Sequence, residues 1–514
     1  MIRPLRDPFF YAVPLFAVLY YVPILRWVLW LGDEGVVLHG ATRVLDGQAL
    51  YRDFFEILPP GAFFIPAAWM SVVGSDFLAA RVFSAAVIAA VAALLYLSSR
   101  LASGSRALAA LLALPWAVRV SIESNHHALT TAASMASGTS LLLALEGGRA
   151  RPVALFGAGL FAGVALTITH TRGALLCVAV LAVLLVAPGG RRRGAPALVG
   201  MAVFPIVMLA CLAATGTLVP AFDGLVRFPL TRYAAIQGVT FGRFATLADA
   251  AVVAFLPATA LLAAVGVAVA RSALWRQRRF HVCLALAIVG IVGAFPRPDT
   301  PHLAYAAPLA APLFALVVAD LLGRLPAPTA TAAAALLVVV ALGQLTYAAT
   351  LRVRVLARPT ALIATARGVV EHPPGPWARD LAALVARIER TGARDAFFFY
   401  PYAPMLPYLT ARRHTAALDV VTPGYTTPEQ FRSTCIRVLR DAQWVVIDRR
   451  GLDAAVLRSA FPRLTDTDPP ERRAFESAVA ATFETVHAST FFELRRRRPS
   501  GPPLGVCDGI GAPG

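Results

Sequence analysis

The stretch LGDEGVVLHGATRVLDGQALYRDFFEILPPG, Leu31–Gly61, decides how the rest of the chain is read. It follows directly on an apolar run over 8–31. It gathers Asp33, Glu34, Asp46, Asp53 and Glu56, with Asp76 a little later, beside Arg43, Tyr51, Arg52 and Pro59-Pro60-Gly61. Acidic residues at the end of a first apolar segment have two uses. They either finish a span in the hydrated headgroup layer or hold a functional carboxylate at the bilayer edge. The remaining chain decides between them.

Of the 514 residues, 58% are hydrophobic and 15% charged, and the mean hydropathy is +0.67. Soluble domains carry about a quarter charged residues, so the composition predicts an integral membrane protein. All 47 basic side chains are arginine, and against 29 acidic residues they give a formal charge of +18. These arginines are scattered between apolar runs rather than collected on one basic face. That argues against nucleic acid as partner and for membrane topology, anionic lipid and phosphate chemistry. The five cysteines have no metal-ligand spacing. Cys177, Cys211 and Cys283 lie inside apolar runs; Cys435 and Cys507 lie in the hydrophilic tail, where they are either paired or free.

The run at 8–31 reads as an uncleaved anchor, too long for a signal-peptide core. Further spans read at 78–98, 105–120, 128–146, 153–170, 174–189, 197–219, 245–270, 281–296, 303–323 and 329–351, about eleven in all, each near the roughly 20 residues a bilayer requires. With the N-terminus inside, the inner links hold Arg3, Arg6, Arg100, Arg106, Arg149, Arg151, Arg191–Arg193, Arg271, Arg276, Arg278, Arg279 and Arg324, with almost no acid. The outer links hold the acidic first loop (32–77), SIESNHH, HTRG, VRFPLTRY and RPDTPH. An odd number of spans places the tail outside. The fold class expected is therefore mainly α: a polytopic transmembrane domain over 1–351, then a soluble α/β domain over 352–498 and a disordered tail over 499–514. In the soluble part AFFFYPYA and QWVVID have strand character, and 428–441 and 470–482 have helical spacing.

Arg26 lies inside the first apolar run, where a charge either snorkels or faces a polar cavity. The outer links add Arg172, Arg232 with Tyr233, and Arg297 with Asp299 and His302. Four outer loops supplying arginine run against the positive-inside bias, and the guanidinium fork suits a phosphate. Asp33 and Glu34 are adjacent, so on a helix they point about 100° apart and only one faces a reacting centre well. Asp33 is expected as general base, with Glu34 orienting the acceptor or a water. Tyr51, Asp53 and Glu56 are candidate acceptor or second acidic contacts. His126 and His127 are poorly spaced for one ion, and read as interfacial polar residues rather than a metal site. Asp419 and Asp448 end strand-like runs in the tail, which holds no evident catalytic constellation.

The order of a membrane span, DEG, a short helix ending in LDGQALYRDFFE, and PPG resembles the membrane glycosyltransferases of the GT-C fold. More narrowly it resembles bacterial relatives of the dolichyl-phosphate-mannose protein mannosyltransferases and of the lipid A aminoarabinose transferases. THTRG between two spans, RPDTPHLAYAAP, PYAPMLPYLTARR and VVTPGYTTPEQ extend the likeness over most of the chain. It departs at His170-Thr171-Arg172, where a lysine is expected. The resemblance implies a bacterial inner-membrane sugar transferase with its soluble domain outside, using a polyprenyl-phosphate sugar donor and a lipid, polysaccharide or protein acceptor. Arg26, Arg172, Arg232, Arg297 and His302 would then meet the donor phosphate. No cofactor is called for by the residues, and participation of a divalent cation is left open. The competing readings are a flippase for lipid-linked sugars, which predicts inverted repeats that are not seen, and a polymerase or ligase using a diphosphate-linked donor.

Overall fold

The computed structural model describes residues 6–28, 30–119, 121–186, 194–270, 273–499 and 504–510. The predicted inner arginines Arg3, Arg191–Arg193 and Arg271 lie outside these. The chain opens with α1 (Pro8–Tyr21), whose N-terminus Asp7 caps through the Phe9 amide. The expected anchor over 8–31 is not one helix. Pro23 sits in a short 3₁₀ turn, Val22–Ile24, after which Leu25 and Arg26 turn and Trp27 forms an isolated bridge with Glu371. There the Val28 amide donates to the Glu371 carbonyl at 2.9 Å, and the Glu371 amide to the Arg26 carbonyl at 2.7 Å. Apolar composition alone does not distinguish a span from a strand edge buried under a second domain.

The acidic first loop folds into α2 (Asp33–Leu45) and α3 (Gly61–Val73). α3 is a 13-residue apolar helix that sequence reading leaves as loop; Pro60 precedes its first turn, where a missing N–H costs nothing. There follow α4 (Phe77–Ser103), α5 (Arg106–Ala117), α6 (His126–Leu145), α7 (Arg151–Ile168), α8 (His170–Val186) and α9 (Ala195–Ala214). Beyond them run Ala250–Val269, Arg278–Gly293, Thr300–Leu322 and Ala327–Leu356. Among the described residues seven of these helices are long and apolar enough to cross a membrane: α4, α6, α7, α9, Ala250–Val269, Thr300–Leu322 and Ala327–Leu356. The others predicted as spans are shorter; α5, with 12 residues, reaches about 18 Å against a hydrocarbon core of about 30 Å.

α4 is the spine. Its buried face (Ala85, Ile88, Ala92, Leu95) joins one apolar core with Leu141 of α6, Leu155 of α7 and Leu313 of the Thr300–Leu322 helix. α7 and α9 approach most closely: a Cβ on Gly159 would lie 1.8 Å from the Ala197 carbonyl oxygen. Small residues permit that contact, which in lipid is a main source of helix–helix adhesion.

The soluble domain begins after Ala327–Leu356 leaves the bundle. A hairpin of β1 (Ala361–Thr365) and β2 (Gly368–His372) leads to a five-stranded sheet built from β3 (Ala396–Tyr400), β4 (Arg413–His414), β5 (Trp444–Asp448), β6 (Phe483–Ala488) and β7 (Phe492–Arg497). Its order is β4-β3-β5-β7-β6, with β3 parallel to β4 and β5, and β7 antiparallel to β5 and β6. β3 is buried on both faces. Phe397 and Phe399 face the membrane domain, in one core with Leu31, Leu38 and Ala41; Phe398 and Tyr400 face Phe431 and Phe475. The expected strands and both expected helices are present, as Pro428–Asp441 and Pro470–Thr482. Of the terminal stretch, 504–510 is described: Leu504–Cys507 forms a turn, and Cys507 is disulfide-bonded to Cys435.

Candidate active site

α2 begins at Asp33, so both acids sit in its first turn, where free amides and the helix dipole favour negative charge. Their surroundings are opposite. Asp33 is exposed, and its carboxylate accepts a hydrogen bond from the Tyr402 hydroxyl. Glu34 is 1% exposed. It is ion-paired with Arg81 of α4 at 2.7 Å and accepts the Ser124 amide at 3.0 Å. Arg81 also donates to the Trp27 carbonyl at 2.8 Å. Glu34 thus joins α2, α4 and the α5–α6 link, which is scaffolding rather than the acceptor contact expected of it.

Around Asp33 the α5–α6 link, the segment after α9 and the start of the Thr300–Leu322 helix converge. Glu123, Tyr233 and Tyr305 all lie within its electrostatic reach. Glu123 is half-buried beside Glu34 and Asp33; burial first, then the Glu34 charge, push its carboxyl up to about 7. The Tyr305 ring stacks on His127 with centroids 5.6 Å apart, and His127 meets His302 at 4.8 Å. His302 is hydrogen-bonded to Asp299, whose other oxygen takes Arg297 at 2.7 Å. Burial would raise Asp299, but bonds from His302 and Arg297 outweigh it and hold this carboxyl below the usual range. Arg172, 1% exposed in the first turn of α8, donates to Thr131 and to the Gly293 carbonyl at 3.4 Å each, and Thr131 in turn donates to the Tyr305 carbonyl at 2.7 Å. No hydrogen-bond partner is present for Arg172 Nε, His127 Nδ1 or His170 Nδ1 among the described residues, though all three are buried atoms.

Three of the five predicted phosphate contacts, Arg172, Arg297 and His302, therefore gather around His127 in one polar chamber, and Tyr305, stacked on His127, connects it to the surroundings of Asp33. The other two do not. Arg26 is exposed beyond the end of α1, and Arg232 is exposed beside Glu429 of the soluble domain; of that loop it is Tyr233 that turns toward Asp33 and Arg297. His126 and His127 are part of the chamber, not plain interfacial polarity: His126 bonds Thr169 at 3.2 Å and stacks near His127. Among the described residues no group of three or more His, Cys, Asp or Glu could hold a metal ion. Sequence reading missed Glu123, Tyr305 and Tyr402; SIESNHH was the one local signal, a polar break with an isolated acid.

The remaining candidates have local partners. Tyr51, buried with φ of 70°, donates to the Leu58 carbonyl at 2.7 Å. Asp53 accepts the Ala49 amide at 2.7 Å and pairs with Arg52. Glu56 is buried, and burial followed by the nearby Asp419 charge pushes its carboxyl well up. Asp419 does not end a strand. It lies in a buried cluster where His39 Nδ1 approaches both its oxygens at 3.1 Å and Arg43 donates at 3.4 Å. There burial would raise Asp419, but His39 and Arg43 hold it well below the usual range.

Residues 58–214 match the family model described as dolichyl-phosphate-mannose-protein mannosyltransferase. Among solved structures the chain is similar to ArnT from Cupriavidus metallidurans bound to undecaprenyl phosphate, at 13% identity and a TM-score of 0.57, over 96% of this chain and 98% of that one. It is also similar to the oligosaccharyltransferase AglB from Archaeoglobus fulgidus in complex with an inhibitory peptide and a dolichol-phosphate (13% identity, TM-score 0.50, 96% and 75% covered). A further likeness is to the arabinofuranosyltransferase AftD from Mycobacteria (16% identity, TM-score 0.53, 97% and 40% covered). No curated protein matches the chain. This multi-pass membrane protein therefore shares the fold of these solved structures, and its residues 58–214 are similar to the mannosyltransferase family.

Proposed function

We propose that the protein transfers a sugar from a polyprenyl-phosphate donor to an acceptor hydroxyl at the outer surface of a bacterial inner membrane, with Asp33 as general base. The observation that carries this reading is an exposed carboxylate at a helix N-terminus, Asp33, connected through Tyr305 and His127 to a buried guanidinium, Arg172, with an unused N–H. In the reaction the acceptor O–H gives its proton to Asp33 as its oxygen bonds the anomeric carbon. The bond from that carbon to the phosphate oxygen breaks, and the electron pair leaves with the lipid phosphate. One carboxylate suffices, because the leaving phosphate is already an anion and needs cations rather than a proton. Arg172 and Arg297, with His302, are the groups placed to meet it.

An outer location is supported by the Cys435–Cys507 disulfide, since such bonds persist in oxidising compartments, and by the acid-poor, arginine-rich inner links. The purified protein, given undecaprenyl-phosphate sugars radiolabelled in mannose, arabinose, galactose, glucose or aminoarabinose, is expected to move label from at least one into product. Asp33→Asn should lower that rate at least about 100-fold, the usual worth of a positioned base, while its melting temperature stays near wild type. Near-normal turnover in Asp33→Asn would remove it from this role.

A further inference from the structure

The soluble domain does more than cover the chamber; it grips the helix that carries Asp33 along its whole length. The Met405 amide donates to the Leu31 carbonyl at 3.0 Å, just ahead of α2. At Gly35 the backbones touch: a Cβ there would lie 2.1 Å from the Met405 nitrogen, so no larger residue fits. One turn on, His39 and Arg43 are fixed on Asp419. Between these anchors Tyr402 reaches the Asp33 carboxylate. Its ring is set edge-on to Trp30, with centroids 5.4 Å apart and planes at 82°.

We propose that Tyr402 is a positioning residue for the transfer reaction, a donor lent by the soluble domain that orients the Asp33 carboxylate. This rests on the reading of Asp33 as base. Burial and the neighbouring Asp33 charge push the Tyr402 phenol well above its ordinary value, so it remains protonated and keeps its role as donor. The bond holds one Asp33 oxygen in place and leaves the other to take the acceptor proton. Besides Tyr402, the groups facing Asp33 are Glu123 from the α5–α6 link, Tyr305 of the Thr300–Leu322 helix, Tyr233 from the segment after α9, and Tyr425 of the soluble domain. None of those four has a hydrogen bond to Asp33 among the described contacts.

The test is Tyr402→Phe in the full-length protein, which keeps the ring against Trp30 and deletes only the hydroxyl. Infrared difference spectra on carbon-labelled aspartate, with the Asp33 band assigned by subtraction of Asp33→Asn, follow that carboxylate without need of a substrate. The expected result is that its carboxylate stretching bands shift in Tyr402→Phe, as the loss of a hydrogen bond to one oxygen requires. In turnover kcat falls about 10- to 100-fold, the range for a lost bond to a charged group, with KM for the donor unchanged. Tyr425→Phe, which removes a hydroxyl not bonded to Asp33, should leave the bands in place. Unmoved bands in Tyr402→Phe, or an equal shift in Tyr425→Phe, overturn the proposal. Those outcomes are separate from failure of the base reading, which is decided by turnover in Asp33→Asn.

Discussion

Two clusters of buried charge flank α2, and they are built on different terms. At the domain interface Asp419 takes His39 and Arg43, and Arg43 also donates to the Ala416 carbonyl at 3.2 Å. His414 accepts the Phe399 amide on Nδ1 at 3.3 Å, which leaves Nε2 to donate to the Leu418 carbonyl at 3.1 Å. That geometry fixes its neutral tautomer, and burial pushes this imidazole down to about 3. The chamber on the other side of α2 is left incomplete. Arg172 makes two bonds, both 3.4 Å long, and its Nε has none. A buried polar group without a partner costs about 1–3 kcal/mol, more when charged. The interface cluster joins α2 to the soluble domain, whereas the chamber keeps a guanidinium N–H without a partner among the described residues.

Removing the anchor of the first cluster should have the largest effect on the fold. Asp419→Ala strands Arg43 and His39 without a counter-charge, a change worth about 3–5 kcal/mol. Thermal unfolding in detergent should show a large drop in melting temperature or failure to accumulate, with activity lost in proportion to folded protein. A melting temperature equal to wild type would dissolve the distinction. The chamber should respond in the opposite sense. Arg172→Met fills the volume and deletes a charge whose bonds are long, so stability should hold or rise. kcat/KM for the lipid-phosphate donor should fall about 10- to 100-fold with loss of one charge-assisted contact. Parallel loss of stability and activity would make Arg172 scaffolding.

The smallest effect is a pH dependence. The Glu123 carboxyl is raised in the folded state, so its protonated form is favoured there. That contribution is fully present below the ordinary glutamate range and is lost as pH rises through about 7. Glu123→Gln should therefore match wild type in melting temperature near pH 5 and exceed it by a few degrees at pH 8.5. An identical difference at both values would assign the effect to packing rather than charge.

Much of this was legible in the chain. The apolar runs, the acidic first loop and the strand and helix segments of the tail follow from composition and periodicity, which act over neighbouring residues. The separation of Asp33 from Glu34 followed from helical geometry. What could not be read is which charge meets which. Nothing local says that the exposed look of Arg26 and the burial of Arg172 differ, or that Arg81 exists to neutralise Glu34. The short helices α3 and α5 show the same limit: hydropathy reports how apolar a segment is, not whether its other face meets lipid or protein.

The sequence by itself determined a membrane-embedded helical domain, a soluble α/β domain after it, and an acidic stretch just past the first apolar run. Only the tertiary structure decided that Tyr402, 369 residues away from Asp33, reaches its carboxylate, and that Asp419, 380 residues from His39, locks the helix behind it. Hydrophobic patterning is a property of neighbours along the chain. Ion pairing and orphaned donors depend on distance through space, which exists only once the chain has folded.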